Sequence, residues 1–266
     1  MSKIFIGPAG TGGAEISNFI KLHELGLAAV EVEFTYSVWM KPSQAQAIAE
    51  ANKKLGLGLK LSVHASYFIN LNSEDSSKIG ASRSRILKCC EIGHYLSDGK
   101  HKTPIVFHPG FYLKKTKQEA FDIILEQIKK IQLVIDEKKW NVTLAPETTG
   151  KPSQFGDLDE TLEIAKQVGC GICVDFAHLK ARYNGTIHYS EIIEKIKKSG
   201  LKKIHAHFSG IEFTAKGERR HLITQEKDIK ELFTYLNKLV STGIEISIIN
   251  ESPQPLKDAI KMKDLL

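Results

Sequence analysis

Two glutamates, an aspartate and two histidines close separate short apolar runs in this chain. They are His64 in LSVHAS, His108 in IVFHPG, Glu147 in VTLAPE, Asp175 in CVDFAH and Glu251 in SIINES. Two further histidines extend the set: His178 follows Asp175 at DxxH spacing, and His207 closes KKIHAHFSG. Imidazole nitrogen and carboxylate oxygen are the donors that zinc takes, or manganese in a harder site, and one carboxylate can bridge two ions about 3.5–4 Å apart. Paired ions bring a bound water's pKa near neutrality and clamp both the attacking and leaving oxygens of a phosphodiester displacement. Uncatalysed phosphate-ester hydrolysis is among the slowest of reactions and needs its barrier lowered by on the order of 20 kcal/mol. A lone strand-end histidine is ordinarily a hydrogen-bonded structural group. A convergent set of seven reverses that reading, because these groups are costly to desolvate together without a cation.

Convergence requires a scaffold that brings distant strand ends to one face. Eight short apolar runs recur, at 3–7, 28–34, 60–65, 104–108, 141–146, 171–176, 202–208 and 245–250, and stretches with apolar residues at three- and four-residue spacing alternate with them. Eight strand–helix units favour a parallel sheet with right-handed crossovers closed into a (β/α)8 TIM barrel. An open doubly wound sheet is the alternative, but it would string the strand-end groups out where a closed ring gathers them. With 266 residues and no linker, the chain reads as a single α/β barrel domain over 1–266. The segments after the third, sixth and seventh strands are expected as long loops that hold substrate.

Composition narrows the function classes. Hydrophobic residues at 42% and charged residues at 26% describe an ordinary globular chain. The beginning MSKIFIGPAG lacks the apolar core of a secretory signal, and no run reaches membrane-spanning length, so a cytoplasmic protein with no membrane partner, and a monomer, is expected. Cys89, Cys90, Cys170 and Cys173 are expected free; the CxxC pair enters an apolar strand and should pack in the core. A net charge of +6 permits a polyanionic partner without demanding one. His23, His94, His101 and His188 are expected in solvated or capping roles, and His205, two residues from His207, should point into the barrel below the site.

At these residues the chain resembles the endonuclease IV family of apurinic/apyrimidinic endonucleases, zinc-dependent (β/α)8 barrels that cut DNA on the 5′ side of abasic sites. The resemblance spans nearly the whole chain and rests on HASYFINL (64–71), FHPG (107–110), PETTG (146–150), CVDFAHLKARY (173–183), HFSG (207–210) and NESP (250–253). It implies that His64, His108 and Glu147 hold one zinc and that Glu147 bridges to a second held by Asp175, His207 and Glu251. His178 and His221 would hold a third, with Glu147 and Glu251 nearest the nucleophile. The implied partner is duplex DNA with abasic sites, and Tyr67 falls where the family contacts it.

Three departures mark a divergent branch. Where the family has Asp-x-His at the third site, this chain has Arg219-Arg220-His221, so either Glu218 replaces the aspartate through an altered turn or the third ion binds weakly. The first strand ends in Gly7-Pro8-Ala9-Gly10, not in His followed by Val-Ser. The DNA-penetrating segment after the second strand is replaced by TYSVWMKP (35–42), whose Tyr36 and Trp39 either stack into a distorted duplex or pack the loop. Arg182, Arg219 and Arg220, with Lys114, Lys115, Lys151 and Lys180, are the candidates for phosphate contacts. The rival readings are a metal-dependent sugar isomerase or epimerase on the same barrel, and a lesion-binding protein without catalysis.

Overall fold

The computed structural model describes residues 3–266; Met1 and Ser2, part of the N-terminal signal reading, lie outside them. Eight parallel strands form the barrel: β1 (Ile4–Pro8), β2 (Ala29–Glu33), β3 (Lys60–His64), β4 (Thr103–Phe107), β5 (Val142–Pro146), β6 (Cys173–Asp175), β7 (Lys203–Phe208) and β8 (Glu245–Asn250). They hydrogen-bond as two four-stranded arcs, β2-β3-β4-β5 and β6-β7-β8-β1. The arcs close through bridges at Ala9–Glu31 and Glu147–Cys173. At the first seam β1 runs so close to β2 that a Cβ on Gly7 would lie 1.7 Å from the Ala29 carbonyl oxygen, so only glycine fits.

Nine helices among the described residues surround the barrel: α1 (Ile16–Glu24), α2 (Pro42–Lys54), α3 (Ser76–Leu96), α4 (Lys117–Glu137), α5 (Leu158–Val168), α6 (Phe176–Arg182), α7 (Tyr189–Lys198), α8 (Glu226–Val240) and α9 (Pro255–Asp264). Their ends are written locally. Thr116 with Glu119, and Asp157 with Glu160, form reciprocal capping boxes at α4 and α5, and Gly169 ends α5 in the left-handed conformation.

The two faces of each strand carry different chemistry. Outward positions such as Ile6, Val30, Val32, Val63, Ile105, Leu144, Val174 and Ile248 are buried and packed against the helices, forming the principal core. The inward positions are small or polar apart from Phe5, Val106 and Ile249. Register places Glu31 beside Ser62, Glu33 beside His64, Cys173 beside His205 and Asp175 beside His207, and only Val106, Ala145 and Cys173 form an apolar cluster inside. All four cysteines are free and buried, as expected, and burial pushes the Cys173 thiol well above its usual range.

Two of the three expected long loops are ordered elements. The segment after β6 opens directly into α6, with the Asp175 side chain accepting from the His178 backbone N–H as its N-cap. The segment after β7 is a hairpin, Gly210–Thr214 paired with Gly217–Leu222. Short apolar runs cut by charges concealed both, because periodicity is weak in an element of six or seven residues. The third, after β3, ends earlier than expected, where Asp75 caps α3.

Candidate metal centre

Glu147 stands at the centre of the C-terminal mouth, fully buried and met by four imidazoles. Its Oε2 is 3.1 Å from His64 Nε2 and 2.9 Å from His108 Nε2, and its Oε1 is 3.2 Å from both His178 Nδ1 and His207 Nδ1. His207 Nδ1 is also 3.2 Å from Glu251 Oε1. The rings are held from behind. His64 Nδ1 lies 2.8 Å from the Ala65 carbonyl, so that Nδ1–H donates there and Nε2 faces Glu147, whereas His178 Nδ1 lies 3.0 Å from the Thr148 carbonyl as well as 3.2 Å from Glu147, which leaves its Nε2 toward Glu218.

Several donor groups here lie within 4.8 Å of one another and could hold a metal ion: His64, Glu147 and His207; Glu147, Asp175, His207 and Glu251; and His178, Glu218 and His221. The donor set fits one. Asp175 is fully buried, and its Oδ2 has no hydrogen-bond partner among the described residues, with only the His178 imidazole 3.4 Å away, so a cation bound there would relieve the cost of burying it.

The electrostatics carry the same message. Burial opposes charge on every group here, yet mutual attraction wins for most. Glu147 is held well below the usual carboxylate range by His108 and His207 despite burial, and Glu251 falls to about 2 through His207. His64, against its own burial, is lifted to about 10 by Glu33 and Glu147, and His178 and His207 are raised well above the usual imidazole range. Glu33 is the exception: burial drives it up to about 8, past the opposing pull of His64. Asp175 is likewise raised by burial.

The third donor group answers the question left by Arg219-Arg220-His221. Glu218 Oε2 lies 3.5 Å from His178 Nε2, and Ser209 Oγ lies 2.6 Å from His221 Nδ1, steadying that ring. Glu218 and His221 are three residues apart, a spacing that puts side chains on opposite faces of a regular strand. Opposite Glu212 and Phe213, however, the hairpin register jumps from Arg220 to Glu218, leaving Arg219 as an inserted bulge residue. The bulge restores a common face, so Glu218 takes part with His178 and His221. Gly150 of PETTG makes room, since a Cβ there would lie 2.6 Å from Glu218 Oε2. Glu218→Ala and His221→Ala should each weaken metal binding at this group by at least the roughly 10–100-fold that loss of a ligand-orienting group costs while sparing the Glu147 groups, a split that metal titration resolves.

Of the residues named from the sequence, His64, His108, Glu147, Asp175, His178, His207, Glu218, His221 and Glu251 therefore gather at one mouth. Two acids were missed. Glu31 and Glu33 project from β2 into the lumen. Glu31 Oε2 is 2.8 Å from His205 Nε2 and Oε1 is 2.9 Å from His207 Nε2, the second contact out of line for a hydrogen bond. Burial resists its charge, but His207 and His205 hold Glu31 well below the usual range. The signal was two acids at alternate positions of the apolar run AVEVEF. His205 points inward below the site, as expected.

The residues read as DNA contacts are placed less uniformly. Tyr67 is exposed beside the candidate metal donors, its ring 6.0 Å from His64 and 6.4 Å from His108. Tyr36 is 75% exposed and tilts against Phe68, whereas Trp39 donates Nε1–H to the Glu33 carbonyl and packs edge-on against Phe34. Arg219 and Arg220 are exposed but both pair with Glu212.

Arg182, read as a phosphate contact, is engaged within the protein. Its guanidinium donates to the carbonyls of Lys151 at 2.7 Å and Gln154 at 3.0 Å and to Tyr112 Oη at 3.1 Å, and so clamps the loop after PETTG. Hydrogen bonds from a charged donor contribute about 1.5–3 kcal/mol each, less where exposed. Arg182→Met should lower the stability by about 2–3 kcal/mol, read as a shifted denaturant midpoint with an unchanged slope.

Comparison with known proteins agrees with the barrel. Residues 19–264 match the model of the xylose isomerase-like TIM barrel family, and the chain belongs to that family. It is 36% identical over 249 residues to an uncharacterized protein, MJ0133, of Methanocaldococcus jannaschii, covering 90% of this chain and 87% of that one. It is 27% identical over 238 residues to a probable endonuclease 4 of the Aster yellows witches'-broom phytoplasma, covering 84% of this chain and 79% of that one. Among solved structures it is similar in fold to a D-tagatose 3-epimerase-like protein, with a TM-score of 0.71 and 20% identity over 98% of this chain and 95% of that one.

Proposed function

We propose that this chain is a metal-dependent phosphodiester hydrolase that cuts duplex DNA on the 5′ side of abasic sites, with zinc as its metal. The carrying observation is the Glu147 carboxylate met by four imidazoles, with a further histidine–glutamate–histidine group alongside. Bound there, metal ions would supply Lewis-acid charge to the phosphate and a nucleophilic water at neutral pH. The chain's own residues fix the geometry: the Ala65 and Thr148 carbonyls set the imidazole tautomers, and Glu147 and Glu251 line the place of attack. A sugar isomerase needs one ion and a base to move a proton, and the group of His178, Glu218 and His221 has no task in it. The probable endonuclease 4 relative supports the hydrolase reading.

Around the mouth, Tyr36, Tyr67 and Phe68 are exposed at 75%, 59% and 58%, a stacking surface for bases disturbed by a missing neighbour. Lysines in the active-face loops would neutralise phosphates and make binding salt-dependent. The test is cleavage of an end-labelled duplex carrying one abasic-site analogue, with chelation and metal add-back. Chelator-sensitive cutting directly 5′ to the lesion is expected. Intact duplex in the presence of metal-replete protein would overturn the assignment.

A further inference from the structure

At the opposite, N-terminal mouth lies a feature for which hydrolysis has no use. Most barrels of this kind fill their lumen with layers of bulky branched side chains. Here Ser62, Thr143, Ala145, Gly171 and Ser247, all small, are among the residues that line an open cavity of about 520 Å³ at that mouth. That is the size of a small-molecule site, and it lies across the barrel from Glu147.

We infer that this mouth is a second binding site, for a small phosphomonoester carrying a hydroxylated ring. Five lysines line it, Lys60, Lys100, Lys102, Lys202 and Lys203, against two carboxylates. Both carboxylates are engaged: Glu245 lies 3.5 Å from the ammonium groups of Lys60 and Lys203, and Asp98 pairs with His101 at 2.8 Å. Lys100, Lys102 and Lys202 form no ion pair among the described residues, so an uncompensated positive field covers the entrance and suits a phosphate dianion. The floor asks for hydroxyl groups. Ser62 Oγ and His205 Nδ1 are buried there without a hydrogen-bond partner among the described residues, while His205 Nε2 is engaged by Glu31. Unmet polar atoms of this kind are rare and costly in a folded interior, and the hydroxyls of a sugar ring would satisfy them after a small shift.

Titration calorimetry with ribose 5-phosphate and adenosine monophosphate tests this, with ribose and inorganic phosphate as partial ligands. Either phosphomonoester should bind more tightly than both partial ligands, and the stronger of the two identifies the ring. The double variant Lys102→Glu/Lys202→Glu, both exposed, should weaken binding at least tenfold without shifting the melting temperature, Ser247→Leu should abolish it by filling the lumen, and Glu147→Gln should leave it intact. Absence of binding by both phosphomonoesters, binding unchanged in the lysine variant, or binding lost only in Glu147→Gln would overturn the inference.

Discussion

Glu147→Gln should reduce 5′ incision at an abasic site by at least ~10³-fold, beyond the roughly 10–100-fold that loss of a group merely orienting a metal ligand costs. The substitution keeps the shape of the side chain and removes one acceptor oxygen and the charge. Each Glu147 oxygen faces two imidazoles, so whichever way the amide is turned, two of the four contacts meet an N–H₂ group. A carboxylate that could join two ions becomes one that can neither bridge nor balance them. Metal content should fall in the same preparation, and near-ultraviolet circular dichroism should stay native because the volume is conserved. Incision at the unsubstituted rate would remove Glu147 from the chemistry and take the hydrolase reading with it.

The barrel was legible because its eight strands are short, apolar and evenly interrupted by amphipathic helices, a pattern set by burial on both strand faces. The candidate metal donors were legible for a related reason: a polar residue ending an otherwise apolar run projects from the strand end. Glu31 escaped that rule because it sits mid-strand, one layer down, and its partners His205 and His207 are more than 170 residues away. Nothing local marks such an acid except its alternation with Glu33. Arg182 shows the opposite difficulty. Basic residues in active-face loops read as phosphate contacts, but the loop after PETTG folds back and offers this one three carbonyl oxygens first. The bulge at Arg219 was out of reach of spacing rules altogether, since regular alternation assigns Glu218 and His221 to opposite faces and only the hairpin's register reunites them.

Stripping the metal should make the protein alkali-sensitive in a range where the metal-bound form is indifferent. Without an ion the buried carboxylates are balanced by protons on the imidazoles. Against its burial, His64 is raised to about 10 by Glu33 and Glu147, and His178 and His207 move in the same direction. A histidine whose pKa is higher in the folded chain than the unfolded value near 6.5 contributes stability fully present below that value. The contribution is lost as pH rises through the folded pKa. Glu33, driven up to about 8 chiefly by burial, adds to the slope between its unfolded value near 4.5 and about 8, because there too the folded state binds the proton more tightly. Unfolding free energy of the chelated protein should therefore fall steadily between about pH 6.5 and 10, by on the order of a few kcal/mol. Bound metal replaces those protons, so the metal-replete protein should show a much flatter profile over the same window. Equal slopes with and without metal would mean that the imidazoles around Glu147 do not exchange protons for a cation, and that the donors gather there for some other reason.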